Sequence, residues 1–296
     1  MHKPVLLKEV INILDIQPND KVLDGTVGGG GYLKEICSLL GREGIIIGLD
    51  QDNSALEAVE DWFSSKKCRV ELINENFRNL DKVLSSLKIK KVNKIVLDLG
   101  ISSDQLDKSG RGFSFQKNEP LLMTLKNKPK EDDLTAKEIV NNWDEQNLAD
   151  IILGYGEERF AKKIALSLCG VRKQKPIKTT FDLVEIIEKA VPEWYRHKKI
   201  HFATKTFQAL RITVNDEIET LKKGLEKSFE YLDKEGRIAI VSFHSKEDGI
   251  IKRFFKDKKN KQTGILITKK PIIPTREEIQ QNPRSRSAKL RVIEKI

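Results

Sequence analysis

Three carboxylates and a run of glycines carry the chemistry legible in this sequence. Asp24-Gly25-Thr26-Val27-Gly28-Gly29-Gly30-Gly31-Tyr32 follows the apolar stretch Lys21-Val22-Leu23, and Asp50 closes a second one, Ile45-Ile46-Ile47-Gly48-Leu49. Glycines let backbone approach a ligand closely, and an acid at the end of the next strand can bind a ribose diol. A strict dinucleotide fingerprint would place glycine at position 33, where Leu33 stands. An acid at the head of the loop also repels a pyrophosphate. It suits a ligand with a cationic amino-acid end, such as S-adenosylmethionine, which carries a sulfonium, an ammonium and a ribose without phosphate. A glycine-rich turn with no ligand is the plainer alternative.

Asp50 is the sharpest candidate, because each charged hydrogen bond to a ribose hydroxyl contributes roughly 1.5–3 kcal/mol. Phe77, just past the third apolar stretch, either walls an adenine ring or belongs to the core. Asp98-Leu99-Gly100-Ile101-Ser102-Ser103 follows the fourth, where a methyl-transfer site must meet its acceptor. An exocyclic amine on an aromatic base is a poor nucleophile, since its lone pair is delocalised into the ring. Acceptors such as Asp98 and Ser103 can hold its hydrogens and aim the nitrogen, which is catalysis by orientation and preorganised electrostatics. Asp98 can equally bind the methionine ammonium. His244, in Ser242-Phe243-His244-Ser245, either contacts the base and handles its proton or belongs to a helix-capping turn. His197 and His201 lack the glutamate of a zinc motif and sit among lysines, so no metal is expected and RNA contact or plain surface fits better. Trp194 and Tyr195 before them either stack on bases or anchor a loop.

These residues need a scaffold of alternating strands and helices. Strands are expected at 21–23, 45–49, 69–73 and 94–99, with helices at 32–40, 54–63 and 80–87 between them, which implies a parallel doubly wound sheet. Its strand ends would bring Asp24, Asp50, Phe77 and Asp98 together. The alternation stops from about Leu106 to Val214, where helices are expected at 135–143, 146–153, 159–171, 181–190 and 204–214. A helix at 218–232, a strand at 236–243, a helix at 247–255 and strands at 265–268 and 290–294 complete the pattern. The economical reading is one domain, 1–105 with 215–296, interrupted by a helical insertion, 106–214.

The chain has 296 residues and a net charge of +10, unevenly spread. Residues 159–215 hold 13 Lys/Arg against four Asp/Glu and residues 246–296 hold 15 against six, so the remainder is acidic. Two basic blocks suggest a polyanion-binding face. No apolar run is long enough to span a membrane, and the N-terminus lacks the features of a leader peptide. The three cysteines, Cys37, Cys68 and Cys169, are odd in number and far apart, which argues against a disulfide framework or a cysteine zinc site and for a reducing cytosol.

Several longer segments resemble one family. They are the Asp24-Gly25-Thr26 loop, Leu97-Asp98-Leu99-Gly100-Ile101-Ser102-Ser103-Asp104-Gln105-Leu106-Asp107, Arg111-Gly112-Phe113-Ser114-Phe115, Tyr155-Gly156-Glu157-Glu158-Arg159-Phe160, Thr204-Lys205-Thr206-Phe207-Gln208-Ala209-Leu210-Arg211, Ser242-Phe243-His244-Ser245 and Asn282-Pro283-Arg284-Ser285-Arg286-Ser287. Together, in order and across nearly the whole chain, they resemble the RsmH/MraW family of bacterial small-subunit rRNA cytosine-N4 methyltransferases. The resemblance implies a Rossmann-like class I S-adenosylmethionine-dependent methyltransferase of α/β fold with a helical insertion. It implies methylation of N4 on a decoding-centre cytidine of 16S rRNA, on the RNA or the small ribosomal subunit. By motif the cofactor contacts fall on Gly30, Gly31, Tyr32, Asp50, Phe77, Asp98 and Gln105. Tyr32 stands where the family commonly has His, and Pro120–Leu125 lacks an Asp and an Arg common there. The expected RNA contacts are Arg111, Lys205, Arg211, Arg284 and Arg286, and a homodimer is compatible. The rival readings are a DNA amine methyltransferase, against which Leu99-Gly100 counts, and a ribosome-binding assembly factor with a weakened methyltransferase site.

Overall fold

The computed structural model describes residues 4–63 and 68–296. They fall into two compact units, Met1–Ser102 with Ile218–Ile296, and Ser103–Glu217. The first half of the first unit runs α1 (Leu7–Leu14), β1 (Lys21–Asp24), α2 (Gly31–Leu39), β2 (Ile45–Asp50), α3 (Asn53–Phe63), β3 (Arg69–Asn74), α4 (Leu80–Ser86) and β4 (Val92–Asp98). The second unit carries α5 (Ser103–Asp107), α6 (Ala136–Asn142), α7 (Glu145–Gly154), α8 (Ala161–Arg172), α9 (Thr180–Ala190), α10 (Glu193–Arg196) and α11 (Thr204–Val214). The chain continues through α12 (Glu217–Tyr231), β5 (Leu232–Ser242), α13 (Ser245–Asn260), β6 (Gly264–Leu266), α14 (Arg276–Gln281) and β7 (Lys289–Lys295).

The sheet of the first unit has the order β3-β2-β1-β4-β5-β7-β6. Its first five strands are parallel, while β7 runs antiparallel to both β5 and β6. Alternate residues feed two cores. Val22, Ile46, Val96 and Val241 pack on the side of α1, α2 and α3, while Leu23, Ile47, Leu97 and Ile240 pack on the side of α4, α12 and α13. A strand covered on both faces needs apolar residues on both, which is why these stretches read as continuous apolar runs. Strand order reverses between β1 and β4, so a crevice opens at their carboxyl ends. Asp24 and Asp98 close those two strands.

Two features differ from the sequence reading. Leu7–Leu14, to which it assigns no element, is a helix with Val10 and Leu14 in the core. Cys37 of α2 is disulfide-bonded to Cys68 at the edge of β3, a correction to the expectation drawn from cysteine number and spacing. Folding brings α2 against the β2–β3 edge, and spacing along the chain carries no information about that distance.

The second unit is a helical body. Ile139, Leu148, Ile152, Ile164, Leu168, Leu183, Phe207 and Leu210 line its interior, and a single bridge pairs Pro120 with Thr179. Capping fixes its helix starts. The Thr135 side chain accepts from the Glu138 amide, Asp144 from Asn147, and Thr179 with Asp182 forms a reciprocal capping box.

Within the first unit one close approach is decisive. A Cβ on Gly224 of α12 would collide with the ring of Phe77, and one on Gly25 would lie 3.0 Å from the Phe77 Cβ and collide with Leu97. Ala is favoured over Gly in a helix by about 1 kcal/mol, but overpacking a filled core costs about 1–3 kcal/mol. Gly224→Ala is therefore expected to lower the melting temperature; an unchanged or raised value in a calorimetric scan contradicts this packing.

Candidate functional site

The strand-end acids of the first unit are tied together by one threonine. The Asp98 amide donates to Thr26 Oγ1 at 2.7 Å, and the Thr26 amide donates to Asp24 Oδ1 at 3.0 Å. Asp24 is fully buried. Its Oδ2 and the Oδ1 of Asp98 are sealed from solvent with no hydrogen-bond partner among the described residues. Burial, and then the neighbouring Asp50, pushes the Asp24 carboxyl up to about 7. Burial, followed by the charges of Asp24 and Glu247, holds Asp98 well above the usual carboxylate range. A buried, uncompensated carboxylate is costly, and a cation placed against it removes that cost. A cation at this point, such as the ammonium end of S-adenosylmethionine, would relieve both acids.

Asp50 is fixed by the loop it faces. Its Oδ2 accepts from the Gly28 amide and its Oδ1 from the Asp52 amide, both at 2.8 Å. Burial raises its pKa against those lowering bonds. Each oxygen keeps lone-pair capacity for a hydroxyl donor, as diol binding requires. The loop earns its shape from glycines in the left-handed region, Gly28 at φ +48° and Gly30 at φ +73°. The Val27 amide donates to Leu49 O at 3.1 Å, so loop and second strand end move as one piece.

The other candidates take more varied places. Gly30 caps α2 and Gly31 begins it, with Pro4 packed where a Gly31 side chain would stand. Tyr32 is buried and its hydroxyl donates to the Val5 carbonyl. Only its backbone remains for a ligand. Phe77 is buried in the core between Gly25 and Gly224. His244 caps α13, its Nδ1 accepting from the Glu247 amide at 3.3 Å while Glu247 Oε2 accepts from the Phe243 amide at 2.9 Å. Its Nε2 is sealed 3.2 Å from Glu247 Oε1. His244 thus takes the capping place, one of its two readings, at the end of β5. Ser103 and Gln105 lie on α5 of the second unit, Gln105 buried.

The expected RNA contacts divide in the same way. Arg284 and Arg286 are exposed on the 3₁₀ turn Pro283–Ser287. Arg286 rims a cavity of about 270 Å³ with Phe243, His244, Ile279 and Lys289. Lys205 Nζ donates to Glu157 O at 2.7 Å. Arg111 and Arg211 are engaged within the second unit rather than exposed. Arg111 is 6% exposed, donates to Leu125 O at 2.9 Å and lies over the Phe113 ring. Arg211 grips Glu217 in a bidentate pair at 2.8 and 2.9 Å. His201 Nδ1 accepts from the Ala203 amide and its ring stacks on Phe115. Sequence reasoning missed Glu247, whose only signal is its position three residues into the capping turn after His244.

Comparison with known proteins bears on this arrangement. A model of the MraW methylase family matches residues 1–296. A protein of Clostridium botulinum (strain Kyoto / Type A2), named ribosomal RNA small subunit methyltransferase H, is 44% identical, with all of this chain and 99% of that protein aligned. A protein of the same name from Sulfurihydrogenibium sp. (strain YO3AOP1) is 46% identical at the same coverage. The crystal structure of a candidate rRNA-methylase from Clostridium thermocellum superposes with a TM-score of 0.50 at 16% identity, each chain fully covered, and shares the fold.

The raised acids make ligand-free stability depend on pH. The folded-state pKa of Asp24, about 7, lies above its ordinary 3.8, so its stabilisation is complete below about pH 4 and lost as pH rises through about 7. Raised values at Asp50 and Asp98 act in the same direction. The ligand-free melting temperature is expected to fall between pH 5 and pH 8, and to fall less in Asp24→Asn; equal slopes in the two proteins would remove Asp24 from this role.

Proposed function

The chain belongs to the MraW methylase family, and from that premise we propose that it methylates the exocyclic N4 of a cytidine in 16S rRNA, using S-adenosylmethionine. The observation that carries the reading is the sealed Asp24 Oδ2 and Asp98 Oδ1, which have no hydrogen-bond partner among the described residues, beside a loop-bound Asp50. When bound, S-adenosylmethionine supplies a methyl group made electrophilic by its sulfonium. The chain's own residues do the rest. Asp50 accepts the ribose hydroxyls, and Asp24 faces the cationic amino-acid end. The left-handed Gly28 and Gly30 let the loop backbone approach. Asp98, held at the end of β4 by Thr26, accepts a hydrogen from the target amine and aims the nitrogen. The substrate's proton leaves after transfer, and a carboxyl held above the usual range is suited to receiving it. Glu247, capped by His244, adds negative charge that supports this basicity.

Arg284 and Arg286 are the charges we assign to RNA on this unit, Arg286 at the rim of an open pocket. The helical unit is the proposed substrate-recognition insertion. Small ribosomal subunits lacking the modification, incubated with the protein and S-adenosylmethionine, are expected to gain N4-methylcytidine in 16S rRNA by mass spectrometry. No gain sinks the reading. Asp50→Ala is expected to weaken cofactor binding by at least about 10- to 150-fold by calorimetry, from the loss of one charged hydrogen bond, and further if two are lost. Reversing Arg284 and Arg286 to Glu should weaken rRNA binding and flatten its salt dependence while cofactor affinity holds; RNA affinity indifferent to the change removes the turn from the RNA face.

A further inference from the structure

The second unit holds an aromatic cluster that the methyl-transfer site does not use. Trp194, on α10, is 51% exposed. The Arg159 guanidinium lies 4.4 Å from its ring centroid and 4.8 Å from that of Phe160. Lys198 Nζ lies 5.0 Å from the Trp194 ring and 5.2 Å from Tyr195. Phe160, Trp194 and Tyr195 meet edge to face, with centroids 4.9 to 6.1 Å apart. Beneath them Tyr195 donates to the buried Glu158 Oε2 at 2.6 Å, and Glu158 Oε1 accepts from the Phe160 amide at 2.9 Å. The turn that presents Arg159 is locked as well. A Gly156 side chain would collide with the Lys205 carbonyl, and Glu157 sits at φ +53° with its carbonyl accepting from Lys205 Nζ.

We propose that Trp194, flanked by Arg159 and Lys198, is a stacking site for an unpaired base of single-stranded RNA. Tyr195 and Phe160 already anchor this part of the chain, so Trp194 is not needed for packing and leaves half its surface in water. An exposed indole flanked by two exposed cations matches a nucleotide, whose base offers a flat π face and whose phosphate offers charge. A duplex hides its base faces within the stack, so the site discriminates for single strands. The buried Glu158–Tyr195 bond and the locked turn preorganise it, which limits the side-chain entropy lost on binding. The assignment rests on the rRNA-substrate reading only for which strand is bound.

The test is binding of the full chain to a fluorescently labelled oligouridylate, followed by anisotropy, with an RNA duplex measured in parallel. Trp194→Ala is expected to weaken oligouridylate binding about 5- to 150-fold, the range of one lost base–aromatic stack. Trp194→Phe is expected to retain most of the affinity, and duplex binding is expected to change little in either variant. Oligouridylate binding by Trp194→Ala within twofold of the parent overturns the proposal, as does an equal loss of duplex binding, which would mark a general charge effect. If Trp194→Ala does not melt cooperatively, the double change Arg159→Gln with Lys198→Gln carries the test: a loss of oligouridylate binding larger than the loss of duplex binding supports the site, and parental binding or equal losses overturn it. Trp194-dependent RNA binding by a protein that methylates no rRNA would leave this site standing and remove the methyl-transfer reading.

Discussion

The hydroxyl of Thr26 joins two strand ends whose acids would otherwise push them apart. By accepting the Asp98 amide while the Thr26 amide serves Asp24, it fixes a buried carboxylate and a second with one oxygen sealed, on neighbouring strands at the point where strand order reverses. Neither acid is fully satisfied, and the usual relief for a buried carboxylate is protonation or a cation. The raised pKa values describe the first relief, and a ligand with an ammonium group supplies the second. One constraint thus underlies both the proposed cationic ligand and the expected pH dependence of the ligand-free protein.

The same crevice sets how closely the surrounding backbone must pack. Gly25 leaves room for Leu97 and Phe77, and Gly48 leaves room for Val27, which would lie 2.7 Å from a Cβ there. Phe77 is in turn wedged against Gly224 on the opposite helix. Phe77 thus packs as part of the wall of the crevice. Tyr32 follows the same logic from the other side of the sheet, its hydroxyl spent on Val5 and its ring in the core.

The strand-end acids were legible in the sequence because a doubly wound sheet converts position along the chain into position in space. Once the apolar runs at 21–23, 45–49 and 94–99 are strands, Asp24, Asp50 and Asp98 share an edge. Features that depend on partners distant in sequence were not legible. The Leu7–Leu14 helix presents few buried residues, and their stripe gains meaning only against α2 and the sheet. The Cys37–Cys68 pair depends on how α2 lies along β3. His244 was ambiguous because a capping residue and an active-site base both occupy the turn after a strand, and only the Glu247 geometry separates them.

Basic residues show most clearly why composition underdetermines function. Arg111 and Arg211 both belong to segments rich in family-like motifs, yet each is spent inside its unit, on a carbonyl and a ring in one case and on Glu217 in the other. Moving either to a phosphate would break those bonds and leave a buried acceptor unpaired, a cost of about 1–3 kcal/mol that a surface lysine avoids. Arg159 and Lys198 differ in kind. Their charges rest on the faces of exposed or half-buried rings, where they stay hydrated and where an arriving base can share the same π surface. A net charge of +10 attracts a polyanion from a distance. Which cations could then hold it depends on what each would have to release, and by that measure Arg159 and Lys198 give up ring contacts where Arg111 and Arg211 would give up buried hydrogen bonds.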